Sequence, residues 1–147
     1  MGTDDPTYDH GKVANEQAVA NANATLRSLL LINGGAAVAL LAFIGSLISA
    51  NAVQLAPSID LLTAPLMWFA WGVAASVLGM AFAYLTNYSI AGHAFALYGQ
   101  EAASARRWLR SALTFQVLAV LVAIASLACF VLGILAIRTA VNMLVSP

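Results

Sequence analysis

Charge is what this sequence has least of. Only 8% of its residues are Asp, Glu, Lys or Arg, against about 25% in soluble domains. A chain so poor in charge cannot coat a water-facing surface, so its surroundings must be largely lipid. Six basic and six acidic side chains cancel, which leaves no footprint for nucleic acid. Cys129 is the only cysteine and stands in an apolar run. An intrachain disulfide and a multi-cysteine metal site are thereby excluded. His10 and His93 have no second ligand at i+3 or i+4, and one imidazole does not make a metal or haem site. No acid–base pair, activated nucleophile or metal cluster can be assembled. We therefore expect no enzyme and no cofactor.

What is present is apolar length. The chain is 62% hydrophobic, with a mean hydropathy of +0.88. Leu29 to Ala50 carries no charge. At about 1.5 Å per residue it reaches roughly 33 Å, enough for a hydrocarbon core of about 30 Å. That is the first expected span (29–50). Residues 1–28 precede it as a polar tail and an Ala- and Asn-rich helix. Their acidic start is unlike a secretory signal, so the first span is expected to remain as an anchor. A short loop (51–64) follows, with Pro57 and Ser58. Pro65 is expected to begin the second span (65–86), because its missing N–H costs nothing in a first helical turn.

The stretch from Leu61 to Gln100 has no formal charge, yet it is too long for one crossing and too short for two. Asn87, Tyr88, Ser89, His93 and Tyr98 make its second half polar. We read 87–111 as an interfacial helical connector, with Gly99 as a helix stop. The third span is expected at 112–137, and 138–147 as a short tail. The predicted fold is thus an all-α membrane protein with three transmembrane helices and helical cytoplasmic extensions.

Arg106, Arg107 and Arg110 hold half of the positive charge within five residues. With three crossings they fall on the same side as Lys12 and Arg27, and only Arg138 falls opposite. The positive-inside rule then puts the N-terminus in the cytoplasm and the C-terminus outside. Arg27, Arg106, Arg107 and Arg110 are the expected headgroup contacts. Trp68, Phe69 and Trp71 sit near one end of the second span. Tyr84, Tyr88 and Trp108 lie near the other boundary, as interfacial aromatics do.

Small residues at spacing three or four let membrane helices approach closely. Gly35, Ala39, Ala42, Ser46 and Ser49 form such a ridge in the first span. Gly72, Ser76, Gly79 and Ala83 form one in the second. Ala119, Ala123, Ser126, Cys129, Gly133 and Ala136 form one in the third. These ridges are expected to pack the three helices together, to face another protomer, or both. Asn33, beside Gly34 and Gly35, is either an interhelical hydrogen-bonding group or a hinge or pore-lining amide.

The layout resembles that of small bacterial inner-membrane proteins, a resemblance of type that carries no residue across. The expected role is a structural, accessory or assembly subunit in a homo- or hetero-oligomeric membrane complex, with lipid and other membrane helices as its partners. The alternative is an oligomeric pore or channel, including a lysis-type pore. Asn33, Ser46, Ser49, Ser76 and Ser126 would supply its thin polar stripe.

Overall fold

A computed structural model describes residues 6–49 and 56–145. Residues 1–5 of the expected tail, residue 50 at the end of the expected first span, 51–55 of the expected loop and 146–147 of the expected C-terminal tail lie outside the described residues. The chain is three long helices, α1 (Pro6–Ser49), α2 (Ala56–Tyr98) and α3 (Ala102–Val145). No strand occurs among the described residues. All three helices are long and apolar enough to cross a membrane, and the fold is that of a multi-pass membrane protein.

α2 and α3 pack along their whole length as an antiparallel hairpin. α1 lies mainly against α2 and meets α3 in few places. The arrangement is inverted relative to a water-soluble bundle. Leu113, Val117, Val120, Leu121, Ile124, Leu127 and Val131 of α3 are all exposed, whereas Asn33, Ser76 and Ser126 are wholly buried. An apolar exterior of that extent is a lipid-facing surface.

The seams repeat every seven residues. On α3 they are Ala105, Ala112, Ser126, Gly133 and Ala140, all buried. On α2, Phe69 and Ser76 make one seam, and Pro65, Gly72 and Gly79 the other. Leu26, Asn33 and Leu40 face them from α1. A strict heptad keeps a seam in register along helices that coil gently around one another. With such small residues, the backbones rather than long side chains set the approach. One end closes on an apolar cluster of Leu40, Phe69 and Ala140, covered by Leu66, Phe130 and Ile137.

Two expectations change. First, α2 begins at Ala56 and Pro65 lies inside it. The proline forfeits one ladder hydrogen bond, but its ring is completely buried beside the packed Leu66 and Phe69.

Second, the turn between α2 and α3 does not use Gly99 as its left-handed residue. That position belongs to Gln100, at φ 57°. Gln100 N–H donates to Leu97 O at 3.1 Å and Glu101 N–H to Ala96 O at 3.0 Å. This is the paired bonding of a Schellman stop, with its glycine one position early.

The polar N-terminal part of α1 is helical and runs without a break into the apolar stretch. Ala18, Val19, Ala22 and Asn23 line a groove with Ala83 and Asn87 of α2 and Gln116 of α3. Asn33 of α1 meets Ser126 of α3, whose hydroxyl lies 2.9 Å from that of Ser76 on α2.

Candidate functional site

The bundle is closed by a polar knot at its centre. Asn33 Nδ2 donates to Leu29 O within α1 at 2.9 Å and to Ser126 Oγ on α3 at 3.2 Å. Ser126 Oγ donates to Gly72 O on α2 at 2.9 Å. Ser76 Oγ lies 2.9 Å from both Gly72 O and Ser126 Oγ. Two hydroxyl protons serve these contacts, so one chain of donation runs Asn33 to Ser126 to Gly72, with Ser76 feeding either acceptor. In lipid such a chain has no competing water, which is why polar side chains tie membrane helices together.

Asn33 Oδ1 is the one buried side-chain oxygen or nitrogen among the described residues without a hydrogen-bond partner. It lies against Gly72, in the space a β-carbon there would need. Asn33 is thus a three-helix clasp seated on a glycine, and it faces no water path inside the protomer.

Other glycines act as sockets in the same way. A β-carbon on Gly79 would stand 2.7 Å from Leu26 Cδ2. On Gly92 it would stand 2.7 Å from Trp108 Cδ2, and on Gly133 2.6 Å from Phe69 Cε1. Each receives a large side chain from a neighbouring helix. Trp108 also meets Tyr88 edge-on, with ring centroids 6.0 Å apart. His93 Nδ1 reaches Ala105 O at 2.8 Å, so this imidazole bridges α2 and α3. Leu26, Phe69, Trp108 and His93 were not singled out as packing groups from sequence. The usable signal for Leu26 and Phe69 was their seven-residue offset from Asn33 and Ser76, and for His93 its fourteen-residue offset from Gly79.

The small-residue ridges divide. Gly72, Ser76, Gly79, Ser126 and Gly133 are buried inside the protomer. Ala83 and Ala123 are half-buried and line an apolar groove of about 360 Å³ between α1 and α3. Gly35, Ala39, Ala42, Ser46 and Ser49 do not join the three helices to one another: all five are exposed, and a β-carbon on Gly35 would meet nothing within 4 Å. Gly35, Ala42 and Ser49 stand two positions beyond the seven-residue repeat of Asn33 and Leu40, and Ala39 and Ser46 six positions beyond it, about 200–240° around the helix, and so face outward. Ser46 and Ser49 turn their hydroxyls to their own helix, at Phe43 O (2.7 Å) and Gly45 O (2.9 Å).

Arg106, Arg107 and Arg110 are exposed at the start of α3. Arg27 is exposed as well, but far from them. Its neighbour Leu26 shares a groove with Ala119 and Val120 of α3, about two and a half turns beyond Arg110. Among the described residues no three of His, Cys, Asp and Glu come together. No family model, curated protein or solved structure matches the chain.

Proposed function

We propose that the protein acts through helix packing, as a structural or assembly subunit that associates with further copies of itself through the outward face of α1. The observation that carries this reading is a duplicated pattern. α3 buries small residues every seven positions against α2. α1 displays the same pattern (Gly35, Ala42 and Ser49, with Ala39 and Ser46 beside them) on a face that no helix of the protomer covers. A row of small residues along a face permits backbone approach, and close packing is what drives association in lipid. A two-fold axis along the membrane normal would set α1 beside its symmetry mate.

In this reading the protein sits in a bacterial inner membrane. The N-terminus and the Arg106–Arg110 cluster are cytoplasmic and the C-terminus is external, following the asymmetry of Lys and Arg. The pore reading draws no comparable support. Asn33, Ser76 and Ser126 satisfy one another inside the protomer, and Ser46 and Ser49 bond their own helix.

The test is native mass spectrometry of protein extracted gently from membranes, comparing wild type with Gly35→Ile and Ala42→Ile. A defined homo-oligomer that both variants reduce to protomers is the expected result. A wild-type protomer, or an oligomer unmoved by both changes, rejects the α1 face as the contact.

A further inference from the structure

Arg27 stands where the polar first part of α1 passes into its uncharged run. It lies six positions before Asn33, roughly 9 Å along the helix axis. Asn33 is level with Gly72 of α2 and Ser126 of α3. Arg106, Arg107 and Arg110 lie roughly 15–20 Å further along the bundle, so that cluster is a patch separate from Arg27.

The surroundings of Arg27 are built for an oxyanion. With Asn23, Met80, Tyr84 and Asn87 it lines a cleft of about 250 Å³ between α1 and α2. The wall offers a planar guanidinium, two carboxamides and a phenol, all able to donate hydrogen bonds. It holds no carboxylate, and α2 has no acidic residue between Asp60 and Glu101. An unneutralised guanidinium among donors pairs best with phosphate, which it can bind bidentately.

Beyond the cleft, toward the membrane centre, the same flank is apolar. Leu31 and Val38 follow Arg27 on α1, 72% and 66% exposed, and Val77 stands one heptad from Tyr84 on α2, 51% exposed. A polar pocket that continues into an apolar rail matches a phosphate with an acyl chain attached. We propose that this cleft binds one anionic phospholipid, its phosphate on Arg27, Asn23, Tyr84 and Asn87 and its chain along Leu31 and Val38. One arginine balances one phosphodiester. A choline-bearing lipid would bring a second positive charge to a wall that has nothing to pair with it.

The experiment titrates the delipidated full-length protein in detergent with dioleoylphosphatidylglycerol or dioleoylphosphatidylcholine, counting retained lipids by native mass spectrometry. Wild type is expected to hold one phosphatidylglycerol at least about tenfold more tightly than phosphatidylcholine. Arg27→Gln removes that preference. Arg27→Lys keeps the charge but not the fork and falls between. Arg106, Arg107 and Arg110 all changed to Gln leaves the bound lipid in place. If Arg27→Gln loses helical content, Tyr84→Phe with Asn87→Leu replaces it, with weaker retention expected although Arg27 is intact. Equal retention of the two lipids, full retention after loss of Arg27 or of both Tyr84 and Asn87, or dependence on the Arg106–Arg110 cluster instead overturns the proposal. Displacement of the lipid by 20-fold excess inorganic phosphate, on the order of a simple competitor, would assign the cleft to a free anion and overturn it too.

Discussion

The side-chain amide of Asn33 occupies the space that a β-carbon on Gly72 would fill. One residue without a side chain thus decides whether α1, α2 and α3 share a hydrogen-bonded centre. Gly72→Ala should expel the amide, break its bond to Ser126, and destabilise the protein by about 2–3 kcal/mol, within the usual range for overpacking. In an Asn33→Ala background the same change should cost less than about 1 kcal/mol, because the clash is gone. Reversible unfolding in detergent, as a double-mutant cycle, measures both. Equal costs in the two backgrounds would show that the contact does not exist.

Gly133 and Gly35 should respond in opposite ways to the same substitution. At Gly133 the added carbon meets the ring of Phe69, only 1% exposed and unable to withdraw. Gly133→Ala should therefore cost about 1–3 kcal/mol. At Gly35 nothing lies within 4 Å. There, Ala should leave the protomer unchanged or favour it by up to about 1 kcal/mol through helix propensity. Melting temperatures of the two variants under conditions that keep the protein monomeric decide the matter.

Gln100 pays a left-handed backbone at φ 57° without being glycine. Gln100→Gly should stabilise the turn between α2 and α3 by about 0.5–1 kcal/mol. A fall in stability would mean that the glutamine side chain holds the turn, and hydrogen exchange at Glu101 would report it locally.

Arg106, Arg107 and Arg110 changed together to Ala should loosen or invert the orientation in the membrane. Periplasmic reporter fusions at the C-terminus read this directly. A fully external C-terminus in the triple variant would remove the cluster from any role in topology.

The helical fold was legible because its signal is compositional: long uncharged runs allow little else in lipid. The small residues of α2 and α3 were legible too, since Gly72, Ser76, Gly79, Ser126 and Gly133 stand out among bulky neighbours. The facing of α1 was not. Its run from Leu29 to Ser49 is apolar on every side, so polarity does not distinguish the Leu26–Asn33–Leu40 seam from the Gly35–Ala42–Ser49 ridge. Only the fit of Leu26 on Gly79 and Asn33 on Gly72 fixes it. That same fit sets the register of α1 against α2, and no hydropathy profile contains it. Pro65 misled for a related reason: a proline allowed at a helix start is also tolerated inside a helix whose neighbours bury its ring.

The bond between Asn33 and Ser126 joins positions 93 residues apart. During synthesis α1 is complete long before Ser126 exists, and its amide then has only the carbonyl of Leu29 in its own helix. α2 and α3, joined by the short turn around Gln100 and packed along their length, emerge as a pair that brings Gly72 and Ser126 together. The nascent chain accordingly carries an unsheltered amide through most of its translation. The amide's partner on another helix arrives only with α3, so the tie between the first and last helices is the last of these contacts the chain can make.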